Sequence, residues 1–237
     1  MPQGDGRAAV CLVSGGMDSA VALAEARAAG WRCHALSIDY GQRHKVELTA
    51  ARRVAEALWS VEHKVVRIDL SALGGSVLTA AGAVPKDRPH NEIGVGVPPT
   101  YVPARNSVFL AVALAWAEML GATDLVCGVN ALDYSGYPDC RPAFLRAFEA
   151  LAAVATAAGT ERGARFRVHA PLMDCDKADI VRRGRELGVD FALTHTCYDP
   201  SIVRKDVVLA CGRCDACRLR LKGFAAAGVS DPLQYAS

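Results

Sequence analysis

The sequence predicts an α/β fold, built as an open, mostly parallel sheet with helices on both faces. The first observation is that short apolar runs, typical of buried strands, alternate along the chain with runs of helical spacing. The second is that this alternation requires crossover connections, which make neighbouring strands parallel. The third is the length of 237 residues, which suits one large α/β domain with a small appendage.

Each predicted element follows from its local pattern of apolar residues and helix-ending glycines. The predicted strands are Ala8–Val13, Cys33–Ile38, Lys64–Ile68, Asp124–Val129 and Ala164–Ala170. The predicted helices are Met17–Ala29, Arg43–Trp59, Ser107–Leu120, Ala143–Ala158 and Asp176–Leu187. Two connecting segments, residues 81–103 and 130–141, are longer than a connection requires, and such loops are usually functional or disordered. We expect a nucleotide-binding α/β domain over residues 1–190 and a C-terminal four-cysteine segment with a helix over residues 191–237.

Composition and charge indicate a soluble cytoplasmic enzyme. Hydrophobic residues make up 51% of the chain and charged residues 22%, with a net charge of +2, so no bulk attraction to nucleic acid or membrane is expected. Residues 1–6 are polar, and the longest apolar run, Val108–Ala117, is far shorter than the roughly 20 residues of a membrane helix. In a reducing compartment the nine cysteines favour a metal site over disulfides.

A glycine-rich junction between the first strand and the first helix is typical of a phosphate site, because it exposes unpaired backbone N–H groups at the positive end of the helix. Gly15 and Gly16 permit positive φ and close approach of an anion, and Ser14 and Ser19 supply hydroxyl donors. Asp18 suits a helix cap, a ligand of phosphate-bound Mg²⁺, or both. The pattern SGGMDS lacks the lysine of a GxxxxGK[ST] loop, so γ-phosphoryl transfer is not indicated.

Four cysteines near the end of the chain predict a metal site. Cys211, Cys214 and Cys217 are spaced by two residues, and Cys197 lies upstream. Four thiolates satisfy tetrahedral Zn²⁺, which we expect to be structural, while an iron–sulfur cluster stays open as an alternative. Residues 199–209 are expected to form a loop closed by the metal. The remaining cysteines are expected to be core residues: Cys11, Cys33, Cys127, Cys140 and Cys175.

The SGGMDS loop resembles the PP-loop of the ATP pyrophosphatase superfamily. Further stretches resemble one branch of it, the 7-cyano-7-deazaguanine synthases, in order and spacing over nearly the whole chain. These stretches are DYGQRH (Asp39–His44), YVPARN (Tyr101–Asn106), DYSGYPDCR (Asp133–Arg141), PLMDCDKADI (Pro171–Ile180) and the cysteine-rich CGRCDACRLR. The loop alone indicates only the superfamily, whereas SGYPDCR together with the four-cysteine end is much more specific.

The resemblance implies a PP-loop, Rossmann-like fold and a defined reaction. ATP adenylates the carboxylate of 7-carboxy-7-deazaguanine, ammonia displaces AMP to give an amide, and a second ATP activates the amide so that the nitrile forms. The resemblance also implies structural Zn²⁺, ATP with Mg²⁺, a homodimer and a place in queuosine biosynthesis. No segment is left over for a glutaminase domain, so free ammonia or a separate partner is expected to supply the nitrogen. The sequence does not say whether the product feeds tRNA modification or another metabolite.

Site residues follow from position and from the resemblance. Asp18, Arg105 and Lys177 are expected to be catalytic, with Arg105 and Lys177 at helix starts where they offset phosphate or carboxylate charge. ATP is expected to contact Val13, Ser14, Gly15, Gly16, Met17, Asp18, Ser19, Asp39, Tyr40 and Gly41. The deazaguanine is expected to contact Arg43, His44, Asp133, Tyr134, Ser135, Gly136, Tyr137, Asp139 and Arg141. In that set Tyr134 and Tyr137 suit stacking on the base, while Asp133 and Asp139 suit its N–H groups.

Three other interpretations stay open. A relative of the same superfamily could thiolate tRNA, although the near-neutral charge and the lack of an added RNA-binding domain argue against direct nucleic-acid binding. Attachment of the carboxylate to an amine, stopping at an amide, would share the first half-reaction. A zinc-knuckle nucleic-acid binder would explain the basic residues around the cysteines, but no aromatic platform is interleaved with them.

Overall fold

The central sheet of the computed structural model contains five parallel strands. They are β1 (Ala8–Leu12), β2 (Arg32–Asp39), β3 (Glu62–Arg67), β4 (Asp124–Val126) and β5 (Arg167–His169). Their order across the sheet is β3-β2-β1-β4-β5, with Val10 opposite both His34 and Leu125. The strand order therefore reverses beside β1, and open α/β sheets bind ligands at such a switch point, beyond the carboxyl ends of the strands. The structure describes residues 6–80, 82–89, 92–93, 95–130, 137–204 and 207–236.

Seven α-helices are present in the described part of the chain. They are α1 (Met17–Ala28), α2 (Val46–Ala57), α3 (Arg105–Leu120), α4 (Pro142–Ala155), α5 (Ala157–Arg162), α6 (Lys177–Glu186) and α7 (Asp215–Ala226). Single 3₁₀ turns occur at Ser71–Leu73, Pro138–Cys140 and Phe191–Leu193. None of the described helices has both the length and the apolar character that a bilayer span requires.

The sheet is covered on both faces, which confirms the predicted fold class. Successive side chains of a strand point to opposite faces. Accordingly, Val10 packs in the core beneath α3, α4 and α5, whereas its neighbours Ala9 and Cys11 pack in the core beneath α1, α2 and α6. The central strands β1, β2 and β4 are mostly buried, whereas the edge strand β3 is largely exposed.

The prediction of one continuous helix over Ala143–Ala158 is wrong, because the structure contains two helices that meet at Thr156. The Thr156 hydroxyl accepts a hydrogen bond from the backbone N–H of Gly159 at 3.0 Å and donates one to the carbonyl of Ala152 at 2.9 Å. A threonine at this position caps the second helix and closes the first. Other predicted ends differ from the observed ones by up to three residues, as at Val46, where α2 begins.

The C-terminal segment contains strands where a loop was expected. Within residues 199–209, strand β6 (Ser201–Arg204) pairs antiparallel with β7 (Val207–Leu209). The segment's helix α7 packs on α6, where a Cβ built on Gly223 would lie 2.5 Å from the Cβ of Lys177, and side chains within the segment bind one another. The buried Arg220 of α7 makes a bidentate ion pair with Asp231, at 2.8 Å for both Nε and Nη2, and its Nη1 donates to Thr194. The boundary at residue 190 between two domains stays a prediction.

Candidate active site

A crevice opens at the carboxyl ends of β1 and β4, where the strand order reverses. Its space for water-sized molecules is about 200 Å³, and residues from the sheet, the helix starts and the C-terminal segment share its wall. The lining residues are Leu12, Val13, Ser14, Gly16, Asp18, Ser19, Leu36, Ile38, Tyr40, Gln42, Glu47, Leu48, Arg105, Asn106, Phe109, Cys127, Gly128, Val129, Tyr137, Cys140, His195, Thr196, Tyr198 and Ala216. The sheet thus brings residues from both halves of the chain to one site.

Residues 14–19, called the glycine loop here, present the start of α1 to the crevice. Gly16 is the N-cap of α1, and no side chain caps the helix there. Gly15 has a φ of +85°, and a Cβ built on it would lie 2.3 Å from the carbonyl oxygen of Glu47. Only glycine tolerates that conformation and that approach of α2. The uncapped N–H groups and the positive helix end make this wall a site for an anion such as a phosphate.

Hydroxyl groups hold the glycine loop in shape. The Ser19 hydroxyl donates to the carbonyl of Gly16 at 3.0 Å and accepts from the backbone N–H of Ser14 at 3.2 Å. The Ser14 hydroxyl accepts from the backbone N–H of Gly16 at 3.3 Å. Ser14 is exposed to the crevice, while Ser19 is buried. The loop is therefore ordered before any ligand binds, which removes part of the entropic cost of binding. Met17, in contrast, is a core residue of α1.

Asp18 and Lys177 form an ion pair across the first and sixth helices. The Lys177 Nζ lies 2.7 Å from Asp18 Oδ2, and the two side chains are 6% and 16% exposed. The predicted cap role of Asp18 is wrong, because Gly16 holds that position. Asp18 Oδ1 is buried, and no hydrogen-bond partner for it occurs among the described residues. Asp18 also lines the crevice, and a carboxylate with an unpartnered oxygen beside a phosphate site fits a divalent cation such as Mg²⁺.

Arg105 and Glu47 introduce opposite charges into the same wall. Arg105 begins α3, and its guanidinium carbon lies 5.7 Å from the ring centroids of Tyr40 and of Phe109. The preceding residue, Ala104, adopts a left-handed φ of +54°, a conformation that costs a non-glycine residue about 1–2 kcal/mol. Burial among protein atoms raises the pKa of the Glu47 carboxyl to about 7, and the charge of Arg105 opposes that rise. Part of Glu47 still faces the crevice.

The segment predicted to hold the base is described from Tyr137 onward; Asp133, Tyr134, Ser135 and Gly136 lie outside the described residues. Tyr137 lines the crevice, and its hydroxyl lies 2.9 Å from the Thr100 hydroxyl. Asp139 is buried, and its Oδ2 accepts from the backbone N–H of Asn106 at the start of α3. Arg141 is an exposed N-cap residue of α4 and does not line the crevice. Their roles toward the base stay predictions.

Some of the residues that follow β2 line the crevice, and others line a small cavity beside it, called the side cavity here. Tyr40 lines both spaces, whereas Arg43 and His44 line only the side cavity. Asp39 accepts from the Lys45 ammonium at 3.2 Å, and Gly41 has a φ of +81°. Of the predicted ligand residues in this stretch, Tyr40 lines the crevice, whereas Asp39, Gly41, Arg43 and His44 do not; Gln42, for which no role was assigned, lines it too.

Two cysteines line the crevice without being reactive. Burial raises the pKa of both the Cys127 and the Cys140 thiols to about 12, so they are protonated at neutral pH. A thiol in that state is a weak nucleophile. Neither thiol is therefore a candidate nucleophile at neutral pH.

Several crevice residues were not singled out from the sequence: Glu47, Asn106, His195, Thr196 and Tyr198. Asn106 ends the motif YVPARN, and the others lie close to DYGQRH or to the first cysteine; that proximity is the only sequence signal for them. The backbone N–H of His195 donates to the Gly15 carbonyl at 2.8 Å. This hydrogen bond joins the segment that carries Cys197, the first expected metal ligand, to the glycine loop.

The four predicted ligand cysteines come together. The sulfurs of Cys197, Cys211, Cys214 and Cys217 all lie within 4.8 Å of one another, and all four residues are buried. Backbone N–H groups donate to these sulfurs, as from Cys211 to Cys197 Sγ at 3.1 Å and from Cys214 to Cys211 Sγ at 3.3 Å. Buried thiolates with N–H donors fit a bound metal ion, and a four-sulfur set suits Zn²⁺ or an iron–sulfur cluster.

Known proteins resemble the chain over nearly its full length. A family model described as "Queuosine biosynthesis protein QueC" matches residues 8–228. Three relatives are each named 7-cyano-7-deazaguanine synthase. The protein of Geobacter sulfurreducens is 58% identical over 229 residues, covering 97% of this chain and 93% of the relative. That of Methylococcus capsulatus is 58% identical, covering 97% and 99%. That of Anaeromyxobacter dehalogenans is 60% identical, covering 98% and 97%. By the family match and these identities, the chain belongs to the QueC family of queuosine biosynthesis proteins.

Proposed function

We propose that the chain converts 7-carboxy-7-deazaguanine and ammonia into 7-cyano-7-deazaguanine, using two ATP and releasing two AMP and two pyrophosphate. The observation that carries the proposal is that one crevice contains both the uncapped glycine loop and Tyr137. Adenylation needs this adjacency, since the attacking carboxylate oxygen must come within roughly 3–3.5 Å of the α-phosphorus. The name of the full-length relatives, 7-cyano-7-deazaguanine synthase, supports the same product.

The glycine loop suits the pyrophosphate portion of ATP. The uncapped backbone N–H groups at the start of α1 and the exposed Ser14 hydroxyl supply donors. Asp18 would hold Mg²⁺ through its unpartnered Oδ1, and the bound ion would neutralise charge on the leaving pyrophosphate. Lys177 keeps the Asp18 carboxylate in position through Oδ2. Arg105 is placed to offset the negative charge of carboxylate and α-phosphate as they approach.

Each half-reaction balances with the groups present. In the first, a carboxylate oxygen forms a bond to the α-phosphorus while the bond to pyrophosphate breaks. Ammonia then forms the C–N bond and AMP leaves with the carboxylate oxygen, giving the amide. In the second, the amide oxygen attacks a second ATP, and AMP departs with that oxygen as two protons leave nitrogen. Every step requires charge stabilisation and positioning, which account for most of the acceleration in such sites.

The four-cysteine cluster is proposed to bind structural Zn²⁺. Its ligand segment runs along the crevice wall, with Thr196 and Tyr198 on either side of Cys197. The ion would fix that wall and the contact of His195 with Gly15. We further propose, from the family resemblance, a cytoplasmic homodimer that takes free ammonia.

The test is product analysis after incubation of the purified protein with 7-carboxy-7-deazaguanine, ATP, Mg²⁺ and ¹⁵N-ammonium. We expect the ¹⁵N-nitrile by mass spectrometry and two AMP per nitrile. Accumulation of amide as the final product would replace this function with amide synthesis. The Asp18→Asn variant should abolish AMP formation, whereas Asp174→Asn, a substitution of an exposed acid near α6, should not.

A further inference from the structure

The side cavity shares part of its wall with the crevice but is much smaller. The shared residues are Tyr40, Gln42, Glu47 and Tyr198. The side cavity leaves about 10 Å³ for a water-sized molecule, which is close to the room that one such molecule needs. Ammonium is of that size, whereas the deazaguanine and ATP are far larger. A space of this size next to a site that consumes ammonia suits the nitrogen donor.

The charges around the side cavity favour a cation. The acidic residue Glu47 and the aromatic residues Tyr40 and Tyr198 line the cavity, together with the expected metal ligand Cys197. Burial lowers the pKa of His44, so its imidazole is neutral and does not repel a cation. The guanidinium of Arg43 is turned to the carbonyl of Gly82, to which it donates at 2.6 Å.

Glu47 lines both the crevice and the side cavity and is only partly buried. Arg105, at the start of α3, and Tyr40, after β2, also line the crevice. Glu47 therefore lies in the wall that the side cavity shares with the reaction space. Nothing in the adenylation chemistry described above uses it.

We propose that Glu47 is the base that takes a proton from ammonium held in the side cavity and so delivers ammonia to the acyl adenylate. This inference rests on the proposed function. The Glu47 carboxylate accepts one proton from ammonium, and the nitrogen lone pair set free forms the C–N bond at the carbonyl carbon. The bond to AMP breaks with its electron pair on the AMP oxygen, and the second nitrogen proton passes to water. Glu47 returns its proton to solvent before the next turnover.

The ionisation of Glu47 matches this role. With a pKa of about 7, the carboxyl is basic enough to accept a proton and acidic enough to release it near neutral pH. An ordinary surface glutamate would be a weaker base. The charge of Arg105 keeps a substantial part of the carboxyl ionised.

The experiment compares two nucleophiles in the wild type and in Glu47→Gln. Ammonium must lose a proton before it attacks, whereas hydroxylamine is neutral above pH 7 and attacks directly. Carboxylate-dependent exchange of pyrophosphate into ATP, without either nucleophile, reports the adenylation step on the same preparation. Glu56→Gln, which changes an exposed glutamate on the same helix, is the matched control. Glu47→Asp tests whether a carboxylate on a shorter side chain restores the activity.

We expect Glu47→Gln to lower ammonium-supported amide formation by about 100-fold or more, with a much smaller effect on hydroxamate formation and on exchange. Glu47→Asp should recover part of the ammonium rate, and Glu56→Gln should match the wild type. Equal losses with both nucleophiles, or no loss with either, would overturn the role of Glu47. A wild type that shows no carboxylate-dependent exchange would overturn the proposed function, and this inference with it.

Discussion

Replacing Lys177 by methionine removes the only charge that the structure shows opposite Asp18 among the described residues. Lys177 is the first residue of α6 and is buried, and its Nζ donates to Asp18 Oδ2 at 2.7 Å. Methionine keeps most of the side-chain volume, so packing against Gly223 of α7 is preserved. The carboxylate of Asp18 is then left largely buried without its partner.

The expected loss of stability is large because Lys177→Met removes one half of a buried ion pair. Breaking such a pair lowers the free energy of unfolding by about 3–5 kcal/mol. Asp18→Asn removes the other half of the same pair and should also lower the free energy of unfolding. The double variant lacks both charges of the pair, so its loss of stability should be smaller than the sum of the two single losses, with a coupling energy of about 1–3 kcal/mol.

Urea unfolding of the four proteins, followed by circular dichroism, measures this cycle. The control is Arg182→Met on the same helix, which removes a surface pair with Asp179, at 2.6 Å and about half exposed, and should cost no more than about 1 kcal/mol. If Lys177→Met costs no more than Arg182→Met, or if the two single changes add to within about 0.5 kcal/mol, the pair is not the buried interaction described here.

Three further predictions concern other parts of the site. Cys214→Ala should reduce bound metal, measured by elemental analysis, and lower stability, while Cys33→Ala in the core of β2 should leave the metal content unchanged. Glu47→Gln should stabilise the fold progressively as pH rises from about 4.5 to 7, by about 1–3 kcal/mol at the plateau. The sign follows because burial raises the folded pKa, so ionisation disfavours the folded state; urea midpoints across pH would show no such trend if Glu47 were solvated. Tyr137→Ala should raise the KM for the deazaguanine by about 10–100-fold, whereas Tyr137→Phe, which keeps the ring and loses the hydroxyl contacts with Thr100 and Tyr198, should change it by less; equal KM values in wild type and Tyr137→Ala would remove the ring from the base site.

Much of the fold could be predicted because the decisive signals are local. A buried strand, two glycines and a helix are contiguous around Gly15, and the cysteines from 211 to 217 are spaced for one ion. Parallel pairing follows from alternation alone. The break at Thr156 was missed because an alanine-rich run looks continuous, and only the Thr156 side chain, bonded to Gly159, reveals the new helix.

The rest of the site depends on contacts between distant parts of the chain. Asp18 and Lys177 are 159 positions apart, and nothing in either motif indicates that they pair. Glu47 occupies an ordinary helical position, and its altered ionisation arises only when α3 and the strand ends enclose it. His195 meets Gly15 for the same reason. Such features come from packing, which local patterns do not determine.

The most direct test of the proposed chemistry is the fate of the carboxylate oxygens. Both oxygens of the deazaguanine carboxylate are labelled with ¹⁸O. Because the carboxylate oxygen and then the amide oxygen leave with AMP, each of the two AMP molecules should carry one ¹⁸O. The nitrile should carry none. Unlabelled AMP, formation of ADP, or ¹⁸O recovered in phosphate would contradict attack of the carboxylate on the α-phosphate in this crevice.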